Sequence, residues 1–282
     1  MRKFKQQRII LTIAICSLCV WFLVGYTNQS TRPDITTNLL NVAHRGASGF
    51  APENTQASFR KGIEMGADFL EFDVHLSKDG EPVIIHDERV DRTTNGKGFV
   101  KDLTLAELKE LDVGGSFDPN FTGETIMTLA ELLEEFYGEV GLLIEIKKPE
   151  LYPGIEEKVV EALTVYQDVS GIIIQSFDID SMRKVHSLLP EVQVAILMNP
   201  SPFLPSSKTL KELTSFASYI NFNVSYVNKR VVDQVHKHDG KVLVWSKKDT
   251  QLFAKAKRFG VDGVISDFSK LPMDEPAFLA TK

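Results

Sequence analysis

Only two cysteines occur in the 282 residues, Cys16 and Cys19, and both lie in one apolar stretch near the N-terminus. The rest of the chain has none, which excludes a disulfide partner or a thiolate metal site there and leaves the body to be held by its core alone. Excess positive charge is also missing: 32 Lys and Arg against 38 Asp and Glu leave a formal net charge of -6. A phosphate backbone is bound by a basic face, so nucleic acid is not an expected partner. Long apolar runs are absent apart from one, "IILTIAICSLCVWFLVGY" at residues 9–26. Histidine is scarce, six in all. Two of the six close short apolar stretches, in "NVAHRG" and "VIIHDE", and it is these two that ask for an explanation.

The apolar run follows a basic flank, residues 1–8, with Arg2, Lys3, Lys5 and Arg8. It approaches the ~20 residues that cross a ~30 Å hydrocarbon core, and Trp21 and Tyr26 stand where interfacial aromatics are common. Residues 9–26 are therefore expected to enter a membrane, as an uncleaved single-pass transmembrane helix or as a cleaved signal segment. A signal peptide would show a shorter apolar region and a small-x-small site, and none is clear after "WFLVGY". Acylation of Cys16 or Cys19 fits poorly, because Ile15 and Leu18 precede them instead of small residues. Positive flanks stay in the cytoplasm. Everything beyond residue 30 is then extracytoplasmic, held at the cell membrane by the helix or secreted if the segment is cut. Residues 27–40, polar and short of core formers, suit a linker, and the folded domain is expected over 41–282.

In that body, Val/Ile/Leu-rich runs alternate with amphipathic helical ones. "NVAH", "FLEFDV", "PVIIH", "GLLIEIK", "GIIIQSF", "VQVAIL", "SYINFN", "KVLVWS" and "DGVIS" read as strands. Helical stretches such as "TQASFRKGIEMG", capped by Asn54 or Thr55, and "DIDSMRKVHSLL" lie between them. Continuous apolar strands alternating with helices argue a parallel sheet covered on both faces, and about eight such units point to an α/β fold of the (β/α)8 TIM-barrel type. A Gly-, Asp- and Thr-rich excursion at about 91–128 reads as a small insertion after the third strand, over one end of the barrel. Asp79-Gly80 marks a hairpin between the second and third strands. A two-residue turn there would pair Lys78 with Glu81 and set Asp73 opposite His86.

In a parallel barrel the C-terminal ends of the strands converge on one mouth. Those ends carry His44 and Arg45, Glu71 and Asp73, His86, Glu145 and Lys147, Ser176 and Phe177, Asn221 or Asn223, and Trp245. Glu71 and Asp73 are two apart and so share a strand face. Crowded carboxylates repel one another unless a cation sits between them, and hard oxygen ligands without cysteine favour Ca²⁺ or Mg²⁺ over zinc. A histidine pair can divide acid and base roles near neutral pH. Arg45, Lys147 and a metal add the positive charge suited to a phosphate, and the set reads as phosphodiester cleavage. Arg45 and Lys147 also have a plainer reading, as counter-charges to the acids. Of the other histidines, His75 is assigned to the strand face opposite Asp73, and His186, His236 and His238 to surface or helix positions. None of the four is given a role.

The motifs "HRGASGFAPENT", "GADFLEFDVHLSKDGEPVIIHDERVDRTTNGKG", "LLIEIKKP" and "GVDGVISD" resemble, in order, those of the glycerophosphodiester phosphodiesterase family over about residues 42–268. The resemblance implies a barrel enzyme that hydrolyses a small-molecule glycerophosphodiester to glycerol 3-phosphate and an alcohol. It implies His44 and His86 as the catalytic pair, and Glu71, Asp73 and Glu145 as ligands of one divalent cation, Ca²⁺ or Mg²⁺. By the same resemblance Arg45 and Lys147 contact the phosphate, and Trp245 stands at the glycerol end of the pocket. The chain departs from the family at "MTLAE" for "PTLEE", "VWSKKD" for "VWTVN" and "SDF" for "TDxP", none of which touches the histidines or ligands. Two alternatives share the same residues: phospholipase-like activity on membrane lipids or lysolipids, with "NPSPFLPSS" as an apolar rim, and a catalytically silent glycerophosphate-binding module. Which histidine is the base, and whether water attacks directly or a glycerol hydroxyl first closes a cyclic phosphate, is left open by the sequence.

Overall fold

The computed structural model describes residues 39–246 and 251–268. Eight parallel strands close into a barrel: β1 (Leu40–His44), β2 (Phe69–Leu76), β4 (Gly141–Ile146), β5 (Ile172–Ser176), β6 (Gln193–Leu197), β7 (Tyr219–Asn223), β8 (Leu243–Trp245) and β9 (Gly263–Ser266). β1 pairs with both β2 and β9, which seals the ring. β3 (Pro82–Ile84) stays outside it, antiparallel on β2.

Helices α1 (Gln56–Glu64), α3 (Leu129–Phe136), α4 (Ile155–Leu163), α5 (Ile179–Leu188), α6 (Ser207–Thr214), α7 (Lys229–His236) and α8 (Leu252–Phe259) follow the strands, with α2 (Leu105–Lys109) inside the insertion. Thr55 caps α1 in a capping box with Ser58, and Thr128 does the same for α3 with Glu131. These caps satisfy backbone N–H groups that the first turn of a helix leaves unpaired. The outward faces of the strands, Phe72, Val74, Ile144 and Ile174 among them, pack against Phe59, Leu132, Phe136, Val159 and Met182 of the helices in one continuous core.

The barrel interior is a second, smaller cluster: Val42, Leu143, Ile173, Ala195, Tyr219, Leu243 and Ile265. Every barrel strand except β2 supplies one such residue, and Phe69 of β2 packs against them partly buried, so the interior is plugged and not a pore. Side chains alternate between faces with period two. The next inward positions along the same strands are therefore His44, Glu145, Gln175, Leu197, Asn221, Trp245 and Asp267, and the β1–β2 register sets Glu71 beside His44.

The hairpin register differs from the expected one by one residue: Val74 pairs with Ile84, and the Ile85 amide donates to the Asp73 carbonyl, so Asp73 faces Ile85 and not His86. The reason lies in the turn. Ser77 pairs with Glu81 around a three-residue loop whose last residue, Gly80, has φ of 83°. A type I turn followed by a left-handed glycine adds one residue to the loop and shifts the ladder accordingly. The excursion at 91–128 builds its own small core from Val90, Val100, Leu108, Val113 and Ile126, packed on Val83 and Ile85 of the third strand run. Among the described residues no helix is long and apolar enough to cross a membrane. The segment expected to do so, residues 9–26, lies outside the described residues, as do its basic flank, most of the linker and the last residues of the chain.

Candidate active site

The strand ends meet as the sequence implies. One pocket is lined by His44, Arg45, Glu71, His86, Glu145 and Lys147, with Phe177 and Trp245 on another side. Leaving β1, the backbone turns through left-handed Arg45, φ 56°, and Gly46, φ 76°. At Gly46 a Cβ would come within 2.5 Å of the Ser58 backbone. Only glycine permits that approach of the loop to α1. The turn aims the Arg45 amide at Glu71 Oε2, 2.9 Å away.

Register brings the three acids together, because Asp73 lies opposite Glu145 across the β2–β4 pair. Oxygens of Glu71, Asp73 and Glu145 all fall within 4.8 Å of one another, and all three residues are buried. Burial and the Asp73 carboxylate push Glu71 up to about 8, and burial also raises Glu145. Asp73 is the exception: against burial, Lys147 and Arg45 hold its carboxyl well below the usual range. Lys147 Nζ donates to Glu145 Oε1 at 2.7 Å and lies 3.4 Å from Asp73 Oδ1. Arg45 donates from Nη1 to Glu53 at 2.9 Å, with its Nε 3.4 Å from Asp73 Oδ2. Both cations thus act as counter-charges to acids in this structure while lining the pocket.

Three buried polar atoms of this site have no hydrogen bond: Arg45 Nε, Asp73 Oδ1 and Trp245 Nε1. Buried polar groups are rarely left unpaired. An orphaned carboxylate oxygen within a trio of buried acids, two of them raised by burial and by one another, fits a hard divalent cation held by Glu71, Asp73 and Glu145.

The histidines have matching supports and opposite electrostatics. His44 bonds through Nδ1 to Asp267, which also accepts from Ser48, and its Nε2 is 4.0 Å from Glu71. Against the effect of burial, Glu71 and Asp267 hold the His44 imidazole above its ordinary value. His86 bonds through Nδ1 to Asp87 at 2.7 Å. Burial, helped by Lys147 and Arg45 and opposed by Asp73, drives it down to about 4. At neutral pH one imidazole is disposed to be charged and the other is neutral.

Trp245 packs edge-on against Phe177, ring centroids 6.4 Å apart, and both rings line the pocket. Ser176 turns its hydroxyl to the Ile146 carbonyl, and its neighbour Gln175 takes the inward position. Gln175 then donates to Glu71 and accepts from Asn221, whose own oxygen accepts from the Leu243 amide. Asn223, by contrast, caps the turn after β7. His75 is not on the face opposite Asp73. Residues two apart share a face, and His75 is fully buried beyond Asp73, its Nε2 donating to the His86 carbonyl at 3.1 Å and its ring edge-on to Tyr152.

Several residues of the site were not singled out from the sequence: Asp267, Asp87, Glu53, Asn54, which donates to Asp73 at 2.9 Å, and Gln175. Signals for most were present. Asp87 follows its histidine directly, Glu53 and Asn54 lie in "PENT", and Asp267 is the retained acid of "SDF". Gln175 follows from strand parity, being two residues beyond the interior Ile173.

Residues 44–271 match the model of the glycerophosphoryl diester phosphodiesterase family. The chain is 41% identical over 234 residues to a glycerophosphodiester phosphodiesterase of Caldanaerobacter subterraneus, covering 81% of this chain and 93% of that one. It is 31% identical over 284 residues to a glycerophosphodiester phosphodiesterase of Bacillus subtilis, covering 95% of this chain and 97% of that one. Among solved structures it is similar to a phosphodiesterase of Oleispira antarctica in complex with the product sn-glycerol-3-phosphate. The TM-score is 0.72, with 35% identity over 81% of this chain and 92% of that one. Motif order, barrel and site geometry agree with these likenesses, and the chain belongs to the glycerophosphoryl diester phosphodiesterase family, as an enzyme that hydrolyses phosphoric diesters.

Proposed function

We infer that this chain cleaves small glycerophosphodiesters to glycerol 3-phosphate and an alcohol, using His44 and His86 as an acid–base pair beside a divalent cation. The observation that carries the reading is the meeting of the buried Glu71–Asp73–Glu145 trio with two imidazoles, each supported at Nδ1 by an aspartate. That support fixes tautomer and ring orientation and leaves Nε2 to exchange a proton with substrate. The neutral His86 accepts a proton from the attacking nucleophile, either water itself or a glycerol hydroxyl whose cyclic phosphate water then opens. His44, held toward its charged form by the contact with Asp267, gives one to the departing alkoxide. Arg45 and Lys147 bind the non-bridging phosphoryl oxygens, whose charge grows in the transition state. Trp245 packs the glycerol end. Glu71, Asp73 and Glu145 would hold Ca²⁺ or Mg²⁺, which when bound would supply Lewis-acid charge at the phosphate.

The pocket is about 110 Å³, with His44, Arg45, Glu71, His86, Glu145 and Lys147 in its lining, and that size suits a deacylated headgroup ester better than an intact lipid. With the basic flank and apolar run of residues 1–26, we assign the catalytic domain to the outer side of the cell membrane, tethered there or secreted where the segment is cut. Phosphorus NMR of the full chain with glycerophosphocholine, glycerophosphoglycerol and lysophosphatidylcholine, with each cation or chelator, tests the reading. Glycerol 3-phosphate from the first two, lost with chelator and in His44→Ala, is the expected result. Turnover of the lysolipid alone would replace the substrate class, and cation-dependent binding without turnover would replace the enzyme by a binder.

A further inference from the structure

His86 stands on the one strand run that is not part of the barrel, whereas Arg45 follows β1 inside it. Register fixes the three acids, but no ladder hydrogen bond joins the β3 side of the mouth to the β1 side, since β3 pairs with β2 alone among the strands. One side chain spans that gap. Arg92, at the start of the insertion, donates from Nε and Nη2 to the two oxygens of Asp87 at 2.6 and 3.1 Å. It donates from Nη1 and Nη2 to the two oxygens of Glu53, both at 2.7 Å. Each of those carboxylates has a second partner at the site. Asp87 Oδ1 holds His86 Nδ1, and Glu53 Oε1 accepts from Arg45 Nη1.

We propose that Arg92 is a positioning residue that clamps Asp87 and Glu53 together and so fixes His86 and Arg45 relative to each other across the pocket. It touches neither the pocket nor the acid trio, and about half of its side chain is exposed. The fork geometry matters: a planar guanidinium satisfies two carboxylates bidentately, which a lysine ammonium does not. Without it, two like charges face each other across the gap. Asp87 is then free to draw closer to His86, and Glu53 to pull Arg45 away from the phosphate position. The groups facing His86 are Asp73 from β2, Lys147 beyond β4, Arg45 beyond β1 and Asp87 beside it. Two of these contributions pass through Arg92, that of Asp87 directly and that of Arg45 through Glu53, and loss of the clamp moves both toward the charged imidazole.

The clamp rests on the function proposed above, so its test needs one readout that turnover does not supply. In the full chain, Arg92→Ala is expected to lower kcat/KM about 10²-fold, the scale of a small misplacement at a reacting centre. His86 must be neutral to act, so its limb is the acid limb of the pH profile. Freed Asp87 favours the charged imidazole, and that limb should move up by about one pH unit. The His86 resonance should titrate upward by the same amount in NMR, whether or not the protein turns over. Arg92→Lys keeps the charge without the fork and should restore the limb but not the rate, and millimolar guanidinium should partly restore the rate of Arg92→Ala. Unchanged kcat/KM in Arg92→Ala, or a rate loss with an unmoved His86 titration in both assays, would overturn the clamp. If Arg92→Ala does not fold, Arg92→Lys decides: wild-type rate overturns the proposal. A wild type that binds cation and shows no turnover fails the proposed function, while the NMR titration still tests the clamp.

Discussion

Inside the barrel, Val42, Leu143, Ile173, Ala195, Tyr219, Leu243 and Ile265 form a layer whose single polar side-chain atom is the hydroxyl of Tyr219, and two residues further on the same chain path reads His44, Glu145, Gln175, Leu197, Asn221, Trp245 and Asp267. The backbone geometry of the two layers is one continuous alternation. What changes is only which side chains are presented, and that change separates stability from chemistry. The apolar layer is a buried floor beneath the acids, and apolar surroundings keep the local dielectric low. Burial there shifts the groups strongly: with the Asp73 carboxylate beside it Glu71 rises to about 8, while His86, just beyond the neighbouring strand, falls to about 4.

The comparison breaks if substitutions in one layer behave like those in the other. The largest effect belongs to the polar layer and its partner across the mouth. His86→Ala is expected to lower kcat by about 10²–10⁴-fold, the usual span of a lost general base, with the melting temperature shifted by only a few degrees. Steady-state kinetics with a thermal melt of the same sample checks it. Leu143→Ala should do the reverse. It opens a cavity in the floor, costs about 2–5 kcal/mol in urea unfolding, and leaves kcat of the folded fraction within a few-fold. A smaller effect joins the two layers through pH. Glu71 has its folded pKa raised from 4.5 to about 8, so the protein without metal binds an extra proton in that interval. The contribution of Glu71 to the stability of the metal-free domain is then fully present below the unfolded value and is lost as pH rises through about 8. Glu71→Gln should flatten this slope, as read by urea midpoints at pH 5 and 8.5 in chelator. An unchanged slope would place the ionisation elsewhere.

The two layers were not equally legible in the sequence. The strand runs, their alternation with helices and the barrel they form follow from apolar patterning, and the strand-end acids and histidines follow from where a parallel barrel converges. Residues that act through a hydrogen bond were harder to see. Asp267 supports His44 from 223 positions away in the chain, a pairing only barrel closure between β1 and β9 creates. Gln175 required strand parity to be fixed before Ser176 could be set aside. The hairpin register failed because a left-handed glycine and a two-residue turn leave the same Asp-Gly signature, and only the pairing of Ser77 with Glu81 separates them. His75 failed for a simpler reason: period two assigns it the face of Asp73.

The central claim is that the polar layer turns over substrate only when its three acids share a cation. The direct measurement is the rate of glycerol 3-phosphate release from glycerophosphocholine as Ca²⁺ or Mg²⁺ is titrated back into the chelated full chain, followed beside the melting temperature. The account expects no release at the start, then a saturating rise whose midpoint coincides with the metal-induced rise in melting temperature, both lost in Glu145→Gln. Release at full rate in chelator, or a rise in melting temperature with no release, would contradict it.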